Sequence, residues 1–399
     1  MMAACVLTDQ PVTLTNVPWI DDVRVMLDLL ESMGVETETD GRTLRLCAAS
    51  VRGGELDAGL CRRVRSSILL AGPLAARQGR VTLHPPGGDV IGRRRLDTHF
   101  SGLEALGIEI RADRSYTLKR RNLQGASILL DEASVTATEN ILMAAVLAPG
   151  RTVLYNAACE PHVQDLGVLL NKMGARITGL GTNRIVVEEG VAELGGAEHA
   201  VQPDHIEIGS FAAAAAATGG TLRIPCGPDT DSLRIIERAF QQMGVPWRVQ
   251  EQAVEVGSGD PLQIASDLGM AIPKIEDGPW PSFPSDLMSV AIVLATRAEG
   301  SILFFEKMFE SRMYFVDQLI AMGARIVQCD PHRVVVSGPS ALHGAHMATP
   351  DIRAGMALLI AALCAEGTSV IENASIIDRG YEFVDQRLRD LGADIQREE

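Results

Sequence analysis

Six times along the chain an amphipathic stretch stops at a hydrophobe followed by glycine: Met33-Gly34, Leu106-Gly107, Met173-Gly174, Met243-Gly244, Met322-Gly323 and Leu391-Gly392. A glycine just past a helix adopts the left-handed conformation that closes it, so each pair predicts a helix end. The stops recur at roughly 70-residue intervals, too long for an ordinary solenoid and right for six copies of one α/β unit. Upstream of each helix a turn runs into a β-rich segment, as in Gly79-Arg-Val-Thr-Leu, Gly150-Arg-Thr-Val-Leu, Gly300-Ser-Ile-Leu-Phe and Gly367-Thr-Ser-Val-Ile. Downstream, most units carry two more short strands; Asp40-Gly41 between Val35–Thr39 and Arg42–Leu46 predicts a hairpin turn.

Between units lie apolar segments such as Ser67–Arg77 and Gly209–Thr218, which predict buried helices around which sheets pack. A chain of 399 residues supports more than one core. Two lobes of three units each are expected, with the boundary near Pro203-Asp204-His205: residues 1–204 form the first lobe and 205–399 the second.

Charge and cysteine usage narrow the function. Lys and Arg total 36 against 51 Asp and Glu, a formal net charge of −15, which argues against a general nucleic-acid or anionic-membrane binder. An anionic ligand must therefore meet a local cluster of cations. The seven cysteines are scattered, without CxxC or Cys/His ligand spacing, which predicts a reducing, cytoplasmic setting and no metal. Apolar runs are too short to span a bilayer, and the start lacks a secretory pattern. Walker, Rossmann and nucleophile-elbow motifs are absent, so ATP-driven chemistry, hydride transfer and serine hydrolysis recede.

The densest signal is Pro85-Pro-Gly-Gly-Asp89-Val-Ile-Gly-Arg93-Arg94-Arg95-Leu96-Asp97-Thr98-His99, a glycine-rich loop with one carboxylate, three arginines and then a helix capped by Asp97 or Thr98. It reads as an anion-binding loop or a polar surface turn. Further arginines sit at Arg62-Arg63-Val64-Arg65, Glu310-Ser311-Arg312, Asp351-Ile352-Arg353 and Asp378-Arg379. The planar guanidinium suits bidentate capture of carboxylate or phosphate, although most such neighbours are local ion pairs. In Phe283-Pro284-Ser285-Asp286, the acid opens an apolar helix; it is either a cap or first-turn residue, or a general base.

Taken with Gln202–Ser210, Phe309–Arg312, Thr349–Ala354 and Ile377–Glu382, these motifs resemble the enolpyruvyl transferases over essentially the whole chain, and most resemble those that act on UDP-N-acetylglucosamine. The resemblance implies a two-lobed inside-out α/β barrel of six βαβαββ-type units, three per lobe. It implies transfer of the enolpyruvyl group of phosphoenolpyruvate to the 3-hydroxyl of UDP-N-acetylglucosamine with release of phosphate, the first committed step of peptidoglycan synthesis. No metal or redox cofactor is implied. Lobe closure is expected to bring the arginines onto the substrates.

By the same resemblance, Asp89 on the first lobe is the proton donor and Asp286 on the second is the base for the sugar hydroxyl. Phosphoenolpyruvate is held by Arg65, Arg94, Arg312, Arg353 and Arg379. The UDP-sugar meets Arg94, Arg95, Leu96, Asp97 and Thr98, then Ser134, Val135 and Thr136, with Asp286 and Met308. Many relatives carry cysteine where Asp89 stands, and fosfomycin alkylates that thiol, so insensitivity is implied. The sequence as written opens inside the family's first buried helix, downstream of a Ser-Gly-Ala-Lys-Asn-Ala segment, which implies an unpaired strand edge in the second lobe. Glu132 and Thr136 stand where relatives commonly have lysine and glycine. Two alternatives follow: a paralogue using another nucleotide or sugar acceptor, or a non-catalytic ligand-binding paralogue.

Overall fold

The computed structural model describes residues 1–89, 91–257 and 260–398. Val90 of the glycine-rich loop and the terminal Glu399 of the expected second lobe lie outside the described residues. The chain divides into two compact units, one of Met1–Gly88 with Arg94–Gln202, the other of Asp89–Arg93 with Pro203–Glu399. The loop segment with Asp89, expected in the first lobe, therefore groups with the second unit, because its backbone bonds are made there.

All six glycines of the repeated stop have positive φ, from +82° at Gly244 to +108° at Gly174. Gly107 shows the constraint most sharply: at φ +88° a Cβ would lie 1.9 Å from the Asn122 carbonyl oxygen, so both conformation and space require glycine. The hairpin is also present, with Glu36–Asp40 antiparallel to Thr43–Cys47 and Asp40 opposite Thr43.

In the first unit three sheets surround a helical centre. Their strand orders are Ala197–Ala200, Val12–Thr15, Thr43–Cys47, Glu36–Asp40; then Arg80–Leu83, Tyr116–Arg120, Ile108–Ala112; then Ser127–Leu129, Thr152–Tyr155, Arg184–Val187, Ile177–Thr178. The centre consists of a 3-10 segment Met2–Leu7 and the helices Ala71–Gln78 and Val135–Ala145. The opening segment, expected as α-helix, is 3-10, and its Ala3–Leu7 side chains are buried. Buried Asn140 ties the centre together: its Oδ1 accepts from Gly72 N at 2.6 Å and its Nδ2 donates to Ile68 O at 3.0 Å. A Cβ at Gly72 would meet the Asn140 carbonyl oxygen at 2.3 Å, so the two helices pack backbone to backbone.

The second unit repeats the plan around the helices His205–Ala217, Ser285–Ala295 and Ile352–Leu363, whose inward residues are almost wholly apolar. Helices that are hydrophobic on all sides must be covered on all sides. Here the sheets are Leu222–Pro225, Ala253–Val256, Trp247–Gln250; then Lys274–Glu276, Gly300–Phe305, Arg333–Gly338, Ile326–Asp330; then His346–Ala348 with Val370–Glu372. Among the described residues the last sheet has two strands, and the sixth unit shows no hairpin after Gly392. No helix among them is long and apolar enough to cross a membrane.

Candidate active site

In the second unit, Pro284 holds the N-cap position of the Ser285–Ala295 helix, which leaves Asp286 in the first turn. The fold around that turn brings two arginines to its carboxylate. Arg312 Nη2 donates to Oδ1 at 2.7 Å, and Arg353 Nη2 lies 2.9 Å from Oδ2. Each guanidinium is braced by an aromatic ring, Arg312 over Phe309 at 5.4 Å and Arg353 over Tyr381 at 5.5 Å. Arg353 starts the Ile352–Leu363 helix, where Asp351 caps the N–H groups of Arg353 and Ala354 and lies 3.6 Å from Arg312.

The electrostatics of this fork are set by opposed effects. Burial favours protonation of Asp286, but Arg353 and Arg312 overcome it and hold the carboxyl well below the usual carboxylate range. Asp351 shifts the other way: its burial wins over Arg312 and the capping bonds, and its carboxyl is pushed up. The Asp286 side chain keeps 39% of its exposure while that of Arg312 keeps 2%, so the acid is the member of the fork that an incoming molecule can reach. Among the described residues, buried Arg312 Nε and Arg353 Nη1 have no hydrogen-bond partner. Buried guanidinium N–H groups left in that condition are costly, and an anionic ligand oxygen would satisfy them.

Beside the fork, Arg379 Nη1 donates to Asp89 Oδ1 at 2.6 Å. The loop segment that follows is clasped by its backbone. Ser311 N donates to Ile91 O at 3.1 Å and Arg93 N to Glu310 Oε2 at 3.3 Å. Gly92, at φ +140°, lies so close that a Cβ would sit 2.1 Å from Glu310 Oε2.

Of the remaining expected residues, Met308 is in the second unit, exposed, with its N–H donating to Asp277; the others belong to the first unit and gather at two helix starts. Arg65 Nη2 donates to the carbonyls of Arg94, at 2.8 Å, and Arg95, at 3.4 Å. Burial, and then the neighbouring Arg94 charge, push the Arg65 guanidinium down to about 10. Arg95 pairs with Asp97 at 2.7 Å. The expected side-chain cap at Asp97 or Thr98 is not formed: the helix runs Asp97–Ala105 with Leu96 at the N-cap position, and Thr98 Oγ1 donates instead to Asp131 at 2.6 Å. A tertiary acceptor outcompetes the local amide. Ser134 caps Val135–Ala145, its Oγ accepting from Ala137 N at 3.4 Å. Thr136 Oγ1 meets His99 Nε2 at 3.1 Å, and His99 Nδ1 faces Asn140. Burial, with Arg65 adding to it, pushes the His99 imidazole down to about 3, so it is neutral.

Over residues 1–388 the chain matches the family EPSP synthase (3-phosphoshikimate 1-carboxyvinyltransferase). It is 55% identical to the UDP-N-acetylglucosamine 1-carboxyvinyltransferase of Bradyrhizobium diazoefficiens, across 100% of this chain and 92% of that one. The chain belongs to the enolpyruvyl transferase family. The protein of the same name from Treponema denticola is 50% identical, covering 100% of this chain and 93% of its own length. Among solved structures, the enolpyruvyl transferase NikO from Streptomyces tendae superposes with a TM-score of 0.87 at 26% identity, over 99% of this chain and 92% of that one. The EPSP synthase of Acinetobacter baumannii, at 17% identity and TM-score 0.73 over 99% and 94% of the two chains, shares the fold. This enolpyruvyl transferase thus has the two-lobed α/β architecture of its family.

Several residues to which the motifs gave no role support the site. Asp351 and Tyr381 brace the two arginines, Glu310 clasps the loop, and Asn140 with His99 backs Thr136. Asp351 had a visible signal, since an acid directly before an apolar helix is a cap pattern. The others depend on contacts distant in sequence.

Proposed function

We propose that this enolpyruvyl transferase joins the enolpyruvyl group of phosphoenolpyruvate to the 3-hydroxyl of UDP-N-acetylglucosamine, releasing phosphate, as the first committed step of peptidoglycan synthesis in the cytoplasm. The observation that carries the reading is Asp286 gripped by Arg312 and Arg353, a carboxylate with two cations that an anionic substrate can take over. While gripped, Asp286 is a weak base. A substrate carboxylate or phosphate that engages Arg312, Arg353 and Arg379 loosens that hold and raises the proton affinity of Asp286 as the acceptor hydroxyl arrives.

In the addition step the acceptor oxygen bonds to C2 of phosphoenolpyruvate and its proton passes to Asp286, while Asp89, which takes a proton from solvent once the substrate anion has taken over Arg379, delivers it to the C3 methylene. Loss of a C3 proton with departure of the C2 phosphate then restores the double bond. Arg65 and Arg94 contribute to holding phosphoenolpyruvate in this reading. Arg94, Arg95, Leu96, Asp97 and Thr98, with Ser134, Val135, Thr136, Asp286 and Met308, hold the UDP-sugar. Helix starts suit a diphosphate because their amides and dipole favour negative charge.

The test is phosphate release from phosphoenolpyruvate with no acceptor, with UDP-N-acetylglucosamine and with shikimate 3-phosphate. Release that requires UDP-N-acetylglucosamine is expected. Release driven by shikimate 3-phosphate alone would overturn the acceptor assignment. Fosfomycin is expected to leave the protein active, whereas an Asp89→Cys variant becomes open to alkylation, detected as a mass increase on residue 89.

A further inference from the structure

Behind the fork lies a second pair of acids that the transfer chemistry does not use. Asp277 and Glu306 are both fully buried. Their placement follows from register: Lys274–Glu276 runs parallel to Gly300–Phe305 with Glu276 opposite Phe305, so the next residue on each strand is one of the two acids. Equivalent positions at the ends of paired strands set the two buried carboxyl groups side by side. Asp277 also accepts the N–H groups of Lys307 and Met308, while Glu306 Oε1 accepts that of Phe309 at 3.1 Å. Three consecutive amides of the segment leading to Arg312 are thus held by two carboxyl groups. Ser285, the residue before Asp286, places its Oγ 2.9 and 3.0 Å from the two Glu306 oxygens.

Two buried carboxylates side by side would repel strongly, and one proton between them removes that repulsion. Both Asp277 oxygens accept backbone N–H groups, whereas Glu306 Oε2 meets only the rotatable Ser285 hydroxyl, so Glu306 is the better placed of the two to carry the proton. We infer that Asp277 and Glu306 share one proton, and that this protonated pair is a positioning device that fixes the Lys307–Arg312 segment and Ser285 so that Arg312 meets Asp286. The inference rests on Asp286 and Arg312 acting in the transfer reaction.

The charged surroundings agree. Burial pushes the Glu306 carboxyl up to about 9; Asp277 beside it adds to the rise, and Arg312 and Ser285 oppose it. The other groups facing the pair are the His332 ring, whose Nδ1 is 2.8 Å from the Glu306 carbonyl oxygen, and Asp286 and Asp351 across Arg312. The Lys307 ammonium turns away to Glu276, at 3.4 Å, and supplies no compensating charge to the pair.

Two measurements on the full chain test this. Infrared difference spectra of the wild type and a Glu306→Gln variant at neutral pH are expected to differ by one protonated-carboxyl C=O band, lost in the variant. Absence of that band from the wild type would overturn the shared proton. In parallel, the wild-type kcat is expected to fall about tenfold per pH unit above about pH 9. Glu306→Gln, whose amide can donate to Asp277 and accept from Ser285, retains at least about half the wild-type kcat and loses the alkaline fall; Glu306→Ala loses most activity at every pH. A Glu306→Gln variant that is as defective as Glu306→Ala, or that keeps the alkaline fall, would overturn the positioning role. A wild type inert with both substrates would count against the transfer reading, while the infrared band would still decide whether the proton is shared.

Discussion

The two units hold their arginines in opposite electrostatic conditions. In the second, Arg312 and Arg353 converge on one carboxylate, and Arg379 pairs with Asp89, so cations are matched by anions. In the first, Arg65 bonds to backbone carbonyls and its charge is disfavoured by burial and by Arg94 beside it. An anion arriving at the second set must exchange partners with an acid. One arriving at the first relieves a repulsion. The first arrangement suits tight holding of charge; the second suits chemistry, because displacing an acid from its partners changes its proton affinity.

The sharpest way to break this contrast is Asp286→Asn. It keeps the shape of the fork and removes the proposed base, and kcat should fall roughly a thousandfold, measured as phosphate release at saturating substrates. An unchanged kcat would mean that the fork is only structural. Next in size, Arg65→Ala should raise the KM for phosphoenolpyruvate roughly ten- to a hundredfold with little change in kcat, as expected for lost holding. An effect confined to kcat would place Arg65 with the second set. Gly92→Ala should lower kcat roughly tenfold, since the new methyl meets Glu310 and φ +140° strains any residue with a Cβ. Proteolysis within the 85–95 loop should accelerate in step. Smallest for catalysis, Asn140→Ala should leave the pH profile intact while lowering stability by about 1–3 kcal/mol, read from denaturant midpoints, because Gly72 N and Ile68 O lose buried partners.

Acid should act on the second unit through the same ion pairs. The Asp286 carboxyl lies below its unfolded value, so the stability it contributes is present above about pH 4 and is lost as pH falls further. Glu306 has the reverse sign: its contribution is full below about pH 4.5 and is lost as pH rises through about 9.

How much of this was legible in the sequence follows from the range of the interactions. The helix stops were readable because a glycine with positive φ is demanded locally, and Gly34 through Gly392 all obey. The strand starts after Gly79, Gly150 and Gly300 were readable for the same reason. The short parallel strands Ser127–Leu129 and Lys274–Glu276 were not, since three residues carry no period and their partners lie further along the chain. In the site, single arginines and acids stood out by type. That Arg312 and Arg353 share Asp286 was hidden, because three separate segments must first be folded. The cap expected at Asp97 or Thr98 failed where Asp131, more than thirty residues away, proved the better acceptor. Asp277 and Glu306 belong to no motif, and only strand register sets them side by side.

The ion pair between Asp89 and Arg379 has a chemical corollary outside the transfer step. A thiol poised beside an arginine is drawn towards thiolate, the form that peroxides convert to sulfenic acid and electrophiles cap. A carboxylate in that setting offers oxidants nothing to attack. Two cysteines lean the same way, burial pushing the core thiol Cys5 up to about 12 and desolvation pushing the half-buried Cys364 up to about 11, so that neither is a ready nucleophile. With Asp89 in that place, the group beside Arg379 is one that peroxides and soft electrophiles leave unchanged.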